Sequence, residues 1–150
     1  MITAQDVAKL RQITGAGMMD AKKALEESAG DFEKAKEILQ AKYAQKAEKK
    51  ADRETGEGFI GTYVHNGKSA SLVALACETD FVARNDEFRE LAQNIALHIT
   101  AMIPEDATIE DILSSSYIKD PNLTIAELLK SKIGVLGENI QIKDFKKISL

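Results

Sequence analysis

Residues 70–77 read Ala-Ser-Leu-Val-Ala-Leu-Ala-Cys, a run short enough to be a strand and apolar enough to be buried on much of both faces. Local chemistry fixes what lies on either side. Ahead of it, His65-Asn66-Gly67-Lys68 carries the Asn-Gly pair, whose residues both tolerate positive φ and so turn a chain back tightly. Residues 59–64 are therefore predicted to pair with 69–77 as an antiparallel hairpin. Behind it, Phe88, Leu91, Ala92, Ile95, Ile99 and Met102 recur at helical spacing, with Asn85 or Asp86 placed to accept the first free backbone N–H groups. A long amphipathic helix after a hairpin packs across one face of it, which makes this part of the chain a small α+β unit.

Between strand and helix lies Glu78-Thr79-Asp80-Phe81-Val82-Ala83-Arg84-Asn85. It puts an acid and an aromatic side by side at a corner, where both can be presented to a partner. An isolated Asp-Phe pair more commonly folds its ring into the core and uses its carboxylate as a turn cap, so the pair alone does not decide.

The N-terminal part reads as helical. Thr3 and Asp6 approximate a capping box, and Ile2 with Val7 a hydrophobic staple, so a helix is expected from Ala4 with Val7 and Leu10 inward. Gly15-Ala16-Gly17 breaks it. A second helix is expected over 20–28 with Ala21, Ala24 and Leu25 buried, and a third, capped by Asp31, carries Phe32, Ala35, Leu39 and Tyr43 inward. Met18 and Met19 fall in the expected loop at 15–19, where paired methionines either fill a core or meet a partner adaptably. From 42 to 54 the chain is rich in Lys, Ala and Glu without an apolar stripe and reads as a solvated helical linker. This divides the chain into a bundle with linker over 1–55 and an α+β core over 56–150.

Toward the C-terminus, Thr124 and Glu127 form a capping box and Leu123 and Leu128 a staple for a helix burying Leu128, Leu129 and Ile133 and ending at Gly137. Residues 139–148 alternate at Ile140 and Ile142, then less regularly at Phe145 and Ile148, as a third strand against the hairpin. Residues 109–121 read as a brief connection.

Several function classes fall away. A net charge of −4 is the wrong sign for a principal nucleic-acid surface, and Glu48, Asp52 and Glu54 interleave with the linker lysines. A single cysteine forms no intrachain disulfide and suits a reducing compartment. No run approaches the roughly 20 apolar residues of a membrane span, and the opening Ile2-Thr3-Ala4-Gln5-Asp6 is unlike an export signal, so a soluble, cytoplasmic chain is expected. Gly56-Glu57-Gly58-Phe59-Ile60-Gly61 matches the dinucleotide fingerprint, but with helix before and strand after, the reverse of what pyrophosphate binding needs. Cys77, His65, His98 and Asp80 contain the elements of a thiol nucleophile, yet no spacing brings them together. With no zinc pattern and no phosphate loop, neither covalent chemistry nor a metal or cofactor is expected.

The octet at 78–85 resembles the signature of the elongation factor Ts family. Residues 10–25, Leu-Arg-Gln-Ile-Thr-Gly-Ala-Gly-Met-Met-Asp-Ala-Lys-Lys-Ala-Leu, are similar to that family's opening motif, and Gly137-Glu138-Asn139-Ile140 to its later one. The resemblance implies an N-terminal three-helix bundle of ubiquitin-associated type before a small antiparallel sheet packed with helices. It implies a translation elongation factor that promotes GDP release from elongation factor Tu, with Phe81 as a wedge between helices of the GTPase and Asp80, flanked by Thr79 and Val82, near its magnesium and phosphate site. It implies Arg11, Met18 and Met19 as docking residues, and Leu136 and Gly137 as a second contact region. Longer members have two related core subdomains and an extra helical insertion that this chain lacks; short bacterial members pair two chains, so a homodimer is expected, with a monomer of reduced activity as the alternative. The rival function is a module that docks on elongation factor Tu without exchange.

Overall fold

A computed structural model describes residues 1–150. The elements in chain order are α1 (Ala4–Thr14), α2 (Met18–Glu27), α3 (Phe32–Lys50), β1 (Glu57–His65), β2 (Ser69–Cys77), α4 (Asp80–Ala83), α5 (Asp86–Met102), α6 (Ile109–Ser114), β3 (Ser116–Tyr117), β4 (Asp120–Thr124), α7 (Ile125–Leu136) and β5 (Gln141–Ser149). They segregate into two compact units, Met1–Lys49 with Lys130–Gly137, and Lys50–Leu129 with Glu138–Leu150.

In the first unit the capping box forms as the sequence predicts: the Asp6 amide donates to Thr3 Oγ1 at 3.1 Å and the Thr3 amide to Asp6 Oδ2 at 2.9 Å. Leu10, Ala21, Leu25, Ala35, Leu39 and Tyr43 are buried together. With Ala16 and Ala24 this core has eight buried residues, half of them alanines that contribute little area each; ion pairing supplements the packing. Asp20 accepts from Lys42 Nζ and from the Tyr43 hydroxyl, the latter at 3.2 Å, which ties α2 to α3. The Lys42 hydrogen bond is the main reason the Asp20 carboxyl lies below its usual range, and burial, reinforced by Asp20, pushes Tyr43 up to about 12. The expected solvated helical linker is corrected in part: it is helical to Lys50 and exposed over 51–54, but one side of its first turns is buried. Helix α3 continues to Lys50 and buries Tyr43 and Ala47, because the C-terminal half of α7 lies on it, with Gly134 directly against the Tyr43 side chain. Alanine at 47 is too small to register as a stripe, and the cover Tyr43 receives from Gly134 comes from far along the chain.

In the second unit β2 is central in an antiparallel sheet ordered β1-β2-β5. The hairpin turns at Asn66 and Gly67, with φ of 53° and 67°, and the Lys68 amide closes it on the His65 carbonyl at 2.9 Å. Helix α5, N-capped by Asn85, lays Phe88, Ala92, Ile95, Ala96 and Ile99 against one face, all fully buried with Val73 and Cys77 of β2. The expectation that β2 is buried on much of both faces is corrected. Leu72 is 49% exposed and Ala74 half-buried, and beside them Ile60, Val64 and Ile148 are 53%, 64% and 70% exposed. Alternation sends the larger set of apolar residues under α5 and leaves a second apolar strip outward.

The irregular pattern of β5 has a local cause. Asp144 pairs with Ala74 but Ile142 with Leu75, so Lys143 is bulged out and the inward parity changes after it. Phe145 therefore lies opposite Val73, and Lys147 opposite Ser71 donates to the carbonyls of Thr100 and Ile103 at 2.9 and 2.6 Å, satisfying the last turn of α5.

The stretch 109–121 is also more structured than a brief connection, holding α6, β3 and the start of β4. Buried His98 pins this segment to α5: Nδ1 accepts from the Ile118 amide at 3.1 Å, which leaves Nε2–H to donate to Ser115 Oγ at 2.7 Å. Burial pushes His98 below its ordinary 6.5. The unfolded chain then binds a proton near 6.5 that the folded chain takes up only at lower pH, so this contribution to stability is complete above about 6.5 and is lost as pH falls toward the folded value. The thermal midpoint should decline between pH 7 and 5, more steeply than in His98→Asn. Equal slopes would show that His98 is not the group responsible.

Candidate functional site

The corner after β2 is built from short-range bonds. The Cys77 thiol donates to the Thr79 carbonyl at 3.2 Å, and Thr79 N-caps α4, its Oγ1 accepting from the Val82 amide at 3.4 Å. Asn85 ends the corner by capping α5, accepting from the amides of Glu87 and Phe88. With two caps six residues apart, Asp80–Ala83 has room for a single turn. On that turn Ala83 is buried and Val82 half-buried, so Phe81 must point away, and it is 81% exposed. Asp80 stands beside it, its carboxylate 3.3 Å from Arg84. Thr79, Asp80, Phe81 and Val82 thus share one projecting turn, and the core-filling alternative for Phe81 is excluded.

Two side chains from elsewhere hold this turn. Glu138 Oε1 accepts from the amides of Glu78 and Thr79 at 3.1 and 3.0 Å, and Oε2 from the Thr79 hydroxyl at 2.6 Å. The exchange is reciprocal, because the Asn139 amide donates to Glu78 Oε1 at 2.8 Å. Asn139 in turn donates to the carbonyls of Ala51 and Arg53. At the other end of the turn Arg89 donates through Nε to the Ala83 carbonyl at 3.1 Å, its guanidinium 4.7 Å from the centre of the Phe59 ring. Sequence reasoning missed both. Glu138 lies inside the Gly137-Glu138-Asn139-Ile140 motif, where the resemblance implies contacts only for Leu136 and Gly137; nothing local pairs it with a residue 59 positions earlier.

In the first unit Met18 and Met19 occupy not a loop but the first turn of α2, since Gly17 already serves as N-cap. They are 61% and 62% exposed, so neither fills the core. Arg11 donates through Nε to the Ala16 carbonyl at 3.3 Å, holding the turn between α1 and α2. Arg11 and Met18 line a cleft of about 590 Å³ with Ile2, Val7 and Ala8. Leu136 is half-buried at the end of α7 and Gly137, at φ 80°, closes that helix. These five residues belong to the first unit, and the projecting turn to the second.

The thiol constellation does not assemble. Cys77 is buried, and that burial pushes its thiol up to about 11; His65 lies against Tyr63 on the hairpin, and His98 is committed to Ser115 and Ile118. Two of the three glycines of the nucleotide-like string have packing reasons: a Cβ on Gly58 would overlap the Leu75 carbonyl, and one on Gly61 the Ala92 backbone. No helix is long and apolar enough to cross a membrane.

A family profile described as Elongation factor TS matches residues 78–150, beginning at the projecting turn. The chain is 41% identical to Elongation factor Ts of Fervidobacterium nodosum, over 99% of this chain and 98% of that protein. That alignment runs over 193 positions, more than this chain has residues, so the relative carries residues without a counterpart here. It is 48% identical to Elongation factor Ts of Aquifex aeolicus, over 96% of this chain and 51% of that protein, and 46% identical to that of Clostridium kluyveri, over 100% and 49%. The chain therefore spans about half the length of two of these relatives.

Proposed function

Because this chain belongs to the elongation factor Ts family, we propose that it is a translation elongation factor that releases GDP from elongation factor Tu by presenting Phe81 and Asp80 to the GTPase. The observation that carries the reading is the projecting turn, which holds a large aromatic 81% exposed beside a carboxylate. A phenyl ring left in water by a protein with a well-packed core is a natural anchor for a partner's apolar crevice.

Exchange is a linkage phenomenon. The factor must bind the nucleotide-free GTPase more tightly than the loaded form, and factor and nucleotide then weaken each other equally. Each 1.4 kcal/mol of such coupling is about a tenfold change in affinity, so few contacts are needed. In this reading Phe81 wedges between helices of the GTPase and displaces the groups that hold its magnesium ion. Asp80 perturbs the surrounding hydrogen bonds, after exchanging its Arg84 partner for groups on the GTPase. Thr79 and Val82 border the contact. Arg11, Met18 and Met19 dock a second surface through the exposed start of α2, and Leu136 and Gly137 form a further contact. No bond to substrate is made or broken by this chain. Release of fluorescent GDP from elongation factor Tu on mixing tests the reading; binding without acceleration would leave a docking module instead.

The outward sheet face supports a homodimer. Ile60, Val64, Leu72 and Ile148 expose apolar area on all three strands of the sheet, with Val64, Ala70 and Ile148 in one row and Thr62 and Lys146 beside Leu72. Sheet-on-sheet packing about a two-fold axis would cover it with its own copy. Sedimentation at micromolar concentration should give twice the 16.4 kDa chain mass, and Leu72→Lys, placing a charge mid-strip, about half that value. A wild-type monomer would refute the pairing.

A further inference from the structure

We propose that Glu138, together with Arg89, is a positioning residue that fixes the direction in which Phe81 projects.

A single helical turn cannot hold itself. Nucleating a helix fixes several dihedrals for one hydrogen bond, and a four-residue segment never recovers that cost by propagation. The internal bonds of α4 are few: the Ala83 amide to the Thr79 carbonyl, and the Arg84 amide to the Asp80 carbonyl, both at 3.1 Å. Phe81 itself packs on little, being 81% exposed. Burial of Ala83 turns Phe81 outward, and what fixes the turn beyond that one small contact acts at its ends.

Both ends are held by charged groups. At the start, one carboxylate of Glu138 takes three donors from two consecutive residues, Glu78 and Thr79, which fixes the peptide plane on which the N-cap is built. The Thr79 hydroxyl is donor to Glu138 and acceptor from the Val82 amide, so the carboxylate also sets the rotamer of the cap. At the finish, Arg89 binds the Ala83 carbonyl while its guanidinium stays over Phe59 of β1. The turn is therefore referenced to β5's lead-in at one end and to α5 and the hairpin at the other. Preorganisation of this kind lowers the ordering cost a partner must meet, so a loosened turn binds its crevice less productively even with Phe81 intact. The functional half of this proposal rests on the exchange reading; the structural half does not.

The test uses two readouts on the full chain. Amide hydrogen exchange in the free protein reports the turn, and GDP release from elongation factor Tu at saturating factor reports function. In Glu138→Ala the amides of Ala83 and Arg84 should exchange at least tenfold faster while those of α5 and β2 stay within threefold. The maximal release rate should fall at least tenfold with the half-saturating concentration changed less than threefold. Glu138→Gln, which keeps one carbonyl oxygen for the two backbone donors, should restore protection. Should Glu138→Ala not fold, Glu138→Asp withdraws the carboxylate by one methylene and should loosen the same amides. Arg89→Met, which keeps an aliphatic stem over Phe59, should loosen the C-terminal end of the turn. Unchanged protection at Ala83 and Arg84, or a loss spread equally over α5 and β2, overturns the proposal. Loosened amides with undiminished GDP release overturn its functional half. If wild type accelerates no release, the exchange reading fails and the amide data still decide the positioning role.

Discussion

Phe81→Ala is expected to slow GDP release from elongation factor Tu by about thirtyfold or more, the equivalent of about 2 kcal/mol lost at the docked surface. The figure follows from what the ring does in each state. In the free protein it is 81% exposed and contributes little to packing. Its removal should shift folding stability by no more than about 0.5 kcal/mol, as for other surface substitutions. In the complex the same ring would be desolvated in a crevice, where truncating a central aromatic typically costs about 2–4 kcal/mol. The asymmetry makes the experiment clean, because loss of activity cannot be attributed to loss of fold. The comparison is made at matched far-ultraviolet circular dichroism and thermal midpoint. A variant that exchanges nucleotide as fast as wild type would remove Phe81 from the mechanism. A variant that binds less but retains its saturating rate would make the ring an anchor instead of a wedge.

Why the caps and turns were legible and Glu138 was not is a matter of range; the exposure of Phe81 followed from the family resemblance, since the Asp-Phe pair alone left core filling open. The caps at Thr3, Asn85 and Thr124 each act within three residues of themselves, and the Asn66-Gly67 turn closes locally, so spacing alone locates them; the cap at Thr79 is equally local but was missed beside Asp80, for which the turn-cap role was offered. Helix α5 was legible because its stripe is wide and its N-cap adjacent. The projecting turn could be found as a corner between a strand and a capped helix. What spacing cannot report is cover. It could not tell that Leu72 faces outward, that Tyr43 lies against Gly134 of α7, or that the bulge at Lys143 reverses the parity of β5. The clamp on Thr79 joins residues 59 apart, and a glutamate in a loop after a helix has no local pattern to betray it. Met18 and Met19 mark an intermediate case: the residues left core filling and partner contact open, the resemblance favoured contact, and the helix began two residues earlier than the apolar stripe announced.

Gly61→Ala should be among the most destabilising single-methyl changes available to the second unit, at about 3 kcal/mol, near the upper end for overpacking a tight contact. Gly61 lies on β1 facing α5, and a Cβ there would overlap the carbonyl oxygen and carbon of Ala92. Those atoms are backbone in the middle of a helix, so they cannot rotate aside as a long side chain would. Relief requires moving β1 away from α5. That movement would stretch the bond from the Thr62 amide to Gln93 Oε1, now 2.6 Å, and open the contact under which Phe88, Ala92 and Ile95 are fully buried. For a unit of this size each kcal/mol moves the thermal midpoint by about 4–8 °C, so a fall of more than 10 °C is expected. Gly56→Ala is the matched control, because a Cβ there meets nothing within 4 Å. Equal midpoints for the two variants would show that the hairpin can retreat from the helix at little cost. A selective fall at Gly61 would identify the seam between β1 and α5 as a rigid reference for the projecting turn, since Phe59, two residues before it on β1, carries the stacked Arg89. The glycine that spacing alone would enrol in a nucleotide loop is then needed for a helix to lie directly on a strand.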